Sequence, residues 1–251
     1  MSIVDIKVWG EYACFTRPEF KVERVSYPVI TPSAARGILE AIYWKPQIYY
    51  HIRRIGILRE GSQWSLLRNE LSSRQSTRGK PKTIDEDRQQ RTSLILTNVA
   101  YRIQAWIVLR NGETNIGKHL DTFRRRAESG QYFHKPYLGC REFAACFEWL
   151  GDKSKDDKKY LPDENLNRDI GTMLYDTAYI KDENYFKKHP EDQLEFIRHE
   201  KTNEDEPKHT EVKGYAKRFF FNAEVKNGWL VEKDKDSLPV SIHNEIMNLE
   251  V

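Results

Sequence analysis

The chain has 251 residues, 39% of them hydrophobic and 12% aromatic, enough for one large domain or two modest ones around a sizeable core. Charged residues make up 31%, the most apolar stretch runs only from Ala105 to Leu109, and no leader-like segment opens the sequence, so a cytoplasmic protein with no membrane partner is expected. The net charge of +3 conceals an asymmetry: residues 1–142 hold 24 Lys and Arg against 14 Asp and Glu, whereas residues 143–251 hold 17 against 24, so the first part is suited to meeting a polyanion.

Val4, Ile6 and Val8 alternate with Asp5 and Lys7 and predict a half-buried first strand. Thr31-Pro32-Ser33-Ala34 supplies an N-cap followed by proline at the first helical position. Ile38, Leu39 and Ile42 then form an apolar face until Pro46 stops the run, which places Tyr43 in the last turn of this first helix. Alternation at Ile48, Tyr50 and Ile52 marks a second strand, and Trp64 to Leu71 part of a hairpin extension. Residues 72–92 carry six basic residues and Asp85, Glu86 and Asp87 without hydrophobic periodicity, and are expected to be a mobile basic loop.

The longest alternation is Val99, Tyr101, Ile103, Ala105, Ile107 and Leu109, with Arg102 and Gln104 on the other face. After the Asn111-Gly112 turn signal, Leu120, Phe123 and Ala127 mark one face of a second helix that Gly130 would end. Phe143 to Leu150 is a further strand candidate. The order β, α, β, β, α, β predicts an α+β fold with a ferredoxin-like, RNA-recognition-type domain over 1–150 and a hairpin insertion.

Beyond it, 152–164 and 181–211 are densely charged with little periodicity, and Gly171 to Tyr179 reads as a strand between them. Phe219 to Val225, the Asn227-Gly228 turn and Trp229-Leu230-Val231 form a hairpin, so 151–251 is expected to be a small antiparallel C-terminal sheet module. Cys14, Cys140 and Cys146 match neither a disulfide framework nor a C-x-x-C zinc pattern and read as packing residues. His189, His199 and His209 recur every ten residues, a spacing that puts no two on one helix face at ligand distance, so neither a metal site nor a cofactor is expected.

The chemistry lies in two distant segments, Ile42-Tyr43-Trp44-Lys45-Pro46 at the end of the first helix and Gly117-Lys118-His119 at the start of the second. RNA can be cut without metal because its own 2′-hydroxyl attacks the neighbouring phosphate. The protein must take the 2′ proton, stabilise a charged phosphorane and assist the departing 5′-oxygen. Imidazole suits the proton transfers near neutrality, lysine suits the phosphorane, and a phenol can donate or accept at either oxygen. A helix N-terminus adds favourable potential for phosphate around Lys118 and His119. The same residues suit simple phosphate contact, and an aromatic in the last turn of an apolar helix is ordinarily just packed. Arg124, Arg125, Arg126, Lys135 and Arg141, interleaved with Tyr132, Phe133 and Tyr137, suit single-stranded RNA or, equally, a solvated face over core aromatics.

Gly10 to Pro18, Ser26-Tyr27-Pro28-Val29, Ala35 to Pro46, Gly117-Lys118-His119, Leu138-Gly139-Cys140-Arg141-Glu142 and Gly171 to Leu174 together resemble the Cas-five proteins of subtype d, CRISPR-associated RAMP-superfamily subunits of the type I-C, or Dvulg, system. The resemblance runs in order from about residue 3 to residue 231. It implies cleavage of precursor CRISPR RNA within the repeat, next to the base of its hairpin, followed by retention on the 5′ handle inside the interference complex with the other type I-C subunits and target DNA.

By the same resemblance Tyr43, Lys118 and His119 hold the catalytic positions, and the Gly139 segment matches the superfamily's RNA-contacting loop while being less glycine-rich. Lys45, Arg124, Arg125, Arg126, Lys135, Tyr137, Gly139 and Arg141 are the expected RNA contacts. The reading is a metal-independent endoribonuclease leaving a 2′,3′-cyclic phosphate and a 5′-hydroxyl. Its rivals are a noncatalytic handle-binding scaffold and a metal-dependent DNA nuclease built from converging carboxylates.

Overall fold

The computed structural model describes residues 3–20, 22–72, 83, 85, 88–151, 157–180, 188, 195–203 and 206–249, with the backbone alone at 195–203 and 206–215. Most of the expected basic loop at 72–92, most of 181–194 and His189 lie outside the described residues, as do the side chains of His199 and His209.

The first strand, β1 (Ile3–Ala13), leads through an irregular segment to helix α1 (Pro32–Ile42). Strands β2 (Ile48–Arg59), β3 (Ser62–Leu71) and the long β4 (Arg88–Leu109) follow, then helix α2 (Ile116–Glu128) and the short β5 (Cys146–Trp149). A 3-10 turn at Lys158–Tyr160 precedes β6 (Arg168–Ile180), β7 (Glu195–Asn203), β8 (Glu206–Lys226), β9 (Trp229–Glu232) and helix α3 (Val240–Leu249). The strands form one antiparallel sheet in the order β5-β1-β4-β2-β9-β8-β6, with β3 paired to β4 and β7 to β8.

Local chemistry accounts for the elements that carry the site. Thr31 caps α1 by accepting a hydrogen bond from the Ala34 amide at 3.2 Å, Pro32 occupies the first helical position, and Ala35, Ile38, Leu39 and Ile42 are buried on one face. Asn115 caps α2 by accepting from the Lys118 amide at 3.1 Å, and its buried stripe is His119, Phe123 and Ala127, three positions four residues apart. The C-terminal end of α2 closes through Gly130, whose φ of 65° falls in the left-handed region. Both helices pack on the face of the sheet that presents Tyr50 and Tyr101: Phe123 meets Tyr50 edge-on at 5.8 Å, and Phe15 meets Tyr101 edge-on at 5.9 Å.

The opposite face is not solvated either. Arg102 and Gln104 are 6% and 5% exposed: Arg102 makes a bidentate pair with Asp5 at 3.0 and 2.6 Å, Gln104 donates to the same carboxylate at 2.7 Å, and Arg102 also reaches the Tyr160 carbonyl at 3.3 Å. The turn at Lys158–Tyr160 and the Trp229 ring, 3.9 Å from the Arg54 guanidinium, cover this layer. Alternation along β4 therefore separates two buried layers, one apolar and one ionic.

Three further differences from the sequence reading have physical causes. Tyr43 is the residue after α1 rather than part of its last turn: its φ of −153° and ψ of 121° are extended, and Pro46, with no amide hydrogen, could not have bonded the Ile42 carbonyl in a continued helix. The expected strand at Phe143 to Leu150 shrinks to Cys146–Trp149, because Phe143 instead turns back, donating to the Cys140 carbonyl at 2.9 Å and accepting from the Leu138 amide at 2.8 Å. Within the charged 181–211 stretch, the backbones of β7 and the start of β8 pair as a hairpin, since a main-chain ladder needs no apolar period in the sequence.

Candidate active site

The end of α1 and the start of α2 meet in one notch. Four carbonyls at and just past the C-terminal end of α1 find donors there. Leu39 accepts from the Tyr43 amide at 3.0 Å, Ala41 from the Phe133 and His134 amides at 2.9 and 3.0 Å, Ile42 from Arg126 at 2.9 Å, and Tyr43 from the Tyr50 hydroxyl at 2.6 Å. These bonds fix the Tyr43 ring under the Arg126 guanidinium, 5.2 Å from the ring centroid.

From the other side α2 delivers His119 and Lys118. Consecutive helical residues point about 100° apart, so His119 joins the buried stripe at 1% exposure while the Lys118 side chain stays 52% exposed. His119 Nδ1 lies 2.9 Å from the Tyr43 hydroxyl. Its Nε2 lies 3.3 Å from Glu113 Oε2, the same oxygen that accepts from Lys118 Nζ. Glu113 Oε1 accepts from the Thr114 and Asn115 amides at 3.0 and 2.9 Å.

Burial raises the Tyr43 phenol above its ordinary value, against which the nearby Arg126 and Lys118 charges act to lower it. The Glu113 carboxyl is pulled down to about 2, chiefly by Lys118 and then by the Asn115 amide, so it is a carboxylate throughout the neutral range. Phenol, imidazole, ammonium and carboxylate thus form one hydrogen-bonded set at the N-terminus of a helix.

The other predicted residues distribute unevenly. Lys45 is exposed beside Trp44, itself 49% exposed. Arg124 and Arg125 are exposed on α2, Arg124 pairing with Glu128 at 2.9 Å, whereas Arg126 turns inward to the notch. Lys135 and Tyr137 lie on the exposed segment that leaves the notch after Phe133 and His134. That segment continues into the glycine loop, where Gly139 has a φ of 83° and a Cβ there would stand 2.1 Å from the Cys14 carbonyl oxygen, so only glycine fits. Arg141 is exposed next to Glu142, which accepts from Arg24 at 2.8 Å and Arg68 at 2.6 Å. Glu113 and Tyr50 were not anticipated from sequence, and Arg126, expected as an RNA contact beside Arg124 and Arg125, turns into the notch instead. The only local signal for Glu113 was its position two residues before an Asn helix cap. Among the described residues no group of three His, Cys, Asp or Glu is placed to hold a metal ion, and no helix is long and apolar enough to cross a membrane.

The fold is similar to that of a solved structure described as the crystal structure of a CRISPR-associated protein, which superposes with a TM-score of 0.58 at 20% identity, covering 93% of this chain and 94% of that one. Sequence places it more narrowly. Residues 3–230 match the family described as CRISPR-associated protein Cas5, subtype d, and the chain belongs to that family. A CRISPR pre-crRNA endoribonuclease Cas5d of Thermus thermophilus is 48% identical over 251 residues, spanning all of this chain and 97% of the relative. One of the same description from Mannheimia succiniciproducens is 44% identical over 191 residues, 70% of this chain and 85% of the relative.

Proposed function

We propose that this chain is an endoribonuclease that cleaves precursor CRISPR RNA by attack of the RNA's own 2′-hydroxyl, leaving a 2′,3′-cyclic phosphate upstream and a 5′-hydroxyl downstream. The observation that carries it is the meeting of Tyr43, His119 and Lys118 in one notch, with 2.9 Å between phenol and imidazole, in a chain 48% identical to a named pre-crRNA endoribonuclease. Cleavage falls within the repeat next to the hairpin base, and the protein then stays on the 5′ handle as a subunit of a type I-C interference complex in the cytoplasm, where target DNA is also engaged. Tyr43 and His119 handle the protons. Lys118, exposed and cationic, faces the phosphorane.

The first part of the chain, 1–150, is read as a ferredoxin-like RAMP domain, an assignment supported by the order β5-β1-β4-β2 with α1 and α2 on one face. Residues 151–251 are read as a C-terminal sheet module joined to it at β9. Lys45, Arg124, Arg125, Lys135, Tyr137, Gly139 and Arg141 would lead RNA along the surface from the notch to the glycine loop, with charge on phosphates and rings on bases. Arg126 is assigned to the notch itself, where its guanidinium holds Tyr43.

The test is incubation of the protein with its repeat hairpin RNA in excess EDTA, beside the same RNA with one 2′-deoxy nucleotide upstream of the scissile phosphate. Cleavage of the first and sparing of the second is expected. Tight binding without cleavage of either would leave a handle-binding scaffold as the better account, and cleavage only with added metal would point to the carboxylate-based alternative.

A further inference from the structure

We propose that Glu113 is a positioning residue that locks His119 in its Nε2-protonated tautomer and thereby makes the Tyr43 hydroxyl, rather than the imidazole, the group that takes the 2′ proton. The inference rests on the nuclease reading above and assigns its proton path.

Donor and acceptor capacity fixes the tautomer. Glu113 Oε1 is occupied by the Thr114 and Asn115 amides, which fix the carboxylate's orientation and leave Oε2 aimed at Lys118 and at His119 Nε2, 3.3 Å away. A carboxylate only accepts, so Nε2 must donate to it. A neutral imidazole carries one N–H; with it on Nε2, Nδ1 can only accept, and the group 2.9 Å from it is the Tyr43 hydroxyl, which therefore donates. His119 is 1% exposed against 5% for Tyr43, and both imidazole nitrogens are engaged. An RNA hydroxyl has no free position on the ring to approach without breaking one of these bonds. The phenol oxygen, with its own hydrogen directed at Nδ1, keeps its lone pairs for an incoming donor.

The step then balances as a relay. The 2′-oxygen forms its bond to phosphorus as its proton passes to the Tyr43 oxygen, while the Tyr43 proton passes to Nδ1. The imidazolium so formed is stabilised at Nε2 by the Glu113 carboxylate, in the way a buried carboxylate orients and supports a catalytic histidine elsewhere. Lys118, drawn from Glu113 towards the phosphate, takes the developing charge on the non-bridging oxygens. The bond from phosphorus to the 5′-oxygen breaks, the leaving oxygen takes a proton from water, and the imidazolium later returns one to solvent through Tyr43. Arg126 over the phenol ring favours negative charge on Tyr43 during transfer.

The test combines single-turnover cleavage at saturating protein, RNA affinity by filter binding, and the imidazole ¹⁵N spectrum of His119, assigned by its loss in His119→Gln. In the unaltered protein at pH 8 the His119 nitrogens should report hydrogen on Nε2. Glu113→Gln, which can turn either amide end to the ring, should mix the tautomers and slow cleavage by about 10- to 100-fold with RNA affinity unchanged or tighter, because a negative charge near the phosphate is gone. Glu113→Asp, which keeps the charge, should recover the tautomer and part of the rate. Hydrogen on Nδ1 in the unaltered protein would overturn the proposal, and that spectrum needs no variant to fold. So would a Glu113→Gln rate equal to or above the parent's, which would make Glu113 a mere restraint on Lys118, or a loss of affinity parallel to the loss of rate. Absence of cleavage by the parent protein would instead sink the nuclease reading, while the tautomer measurement would still report on the lock.

Discussion

Two buried histidine sites in this protein use the same side chain in opposite ways. At the junction of α1 and α2, His119 is held by a phenol on one nitrogen and a carboxylate on the other. Under α3, His243 stacks on His51 of β2 at 3.7 Å and an interplanar angle of 6°, with Tyr49 at 5.1 Å from His243 and Trp106 edge-on at 5.2 Å from His51. Burial pushes His51 down to about 4 and His243 to about 3, the latter also by His51, Arg36 and Arg110 nearby. The first imidazole has a polar partner on each ring nitrogen, as the proposed proton transfer requires; aromatic packing makes the second a flat neutral ring that fastens the C-terminal helix to the sheet. Burial alone therefore does not mark a working histidine. What the ring nitrogens face does.

Substitutions at the two sites should separate sharply. His119→Ala or Lys118→Ala is expected to lower cleavage by about 10²- to 10⁴-fold with a much smaller change in RNA affinity, as read by single-turnover kinetics beside binding. His243→Ala should leave that rate within a few-fold and instead cost about 2–4 kcal/mol of stability, read from the denaturant midpoint, because it empties a packed position. A loss of cleavage in His243→Ala beyond its loss of folded protein would erase the distinction.

Acid probes the same contrast from the other side. Both rings under α3 have folded values below the ordinary 6.5, so between about 6.5 and about 4 the unfolded chain binds protons that the folded pair refuses. Stability should fall as pH drops through that window, by roughly 2 kcal/mol for each histidine at pH 5. His51→Phe with His243→Phe should flatten the dependence there. Glu113, whose folded value is lowered to about 2, acts in the same direction on a lower window: its stabilisation is present above the ordinary carboxylate value and is lost as pH falls from there towards 2. A denaturant midpoint that is level from pH 7 to 5 would contradict the stacked-ring account.

Smaller changes sharpen the picture at the notch. Tyr43→Phe keeps the ring under Arg126 and removes only the hydroxyl, and should slow cleavage by about 100-fold or more while barely altering the melting temperature. Arg124→Ala breaks an exposed pair with Glu128 and should change stability by less than about 0.5 kcal/mol, any effect appearing in RNA affinity and its salt dependence instead.

Much of this was legible in the residues themselves, for identifiable reasons. Thr31-Pro32 and Asn227-Gly228 act locally: the first caps α1, and the second turns between β8 and β9 with φ of 50° and 76°. Tyr43, Lys118 and His119 were legible as residue types suited to a reaction, but not as neighbours. Their approach depends on long-range bonds, such as those from the 133–134 amides to Ala41, that no spacing encodes.

Arg102 and Gln104 show the limit of period two, which says that side chains alternate but not whether the second face meets water or a second buried layer. α3 went unread although Ile242, Ile246 and Leu249 carry helical spacing, and it brings the His243 that completes the ring stack. Glu113 escaped because an acidic residue before a helix is ordinary; only the fold shows that its second oxygen reaches the imidazole.

β9 holds the two flanks of the sheet together through a narrow seam. It meets β2 at Ile55↔Leu230 and Gly56↔Trp229 and β8 along four residues, while a Cβ on Gly56 would stand 2.5 Å from the Pro162 ring and 3.2 Å from the Trp229 ring. Among the described strands this central one is also the last to leave the ribosome. During synthesis β1, α1, β2, β4 and α2 can already pair and pack while β2 offers an unpaired edge, and the sheet closes only when Trp229–Glu232 emerges. A nascent chain stalled short of that point would carry the whole notch and an open, adhesive flank together, so translation pausing ahead of residue 229 should expose an aggregation-prone intermediate that the finished protein conceals.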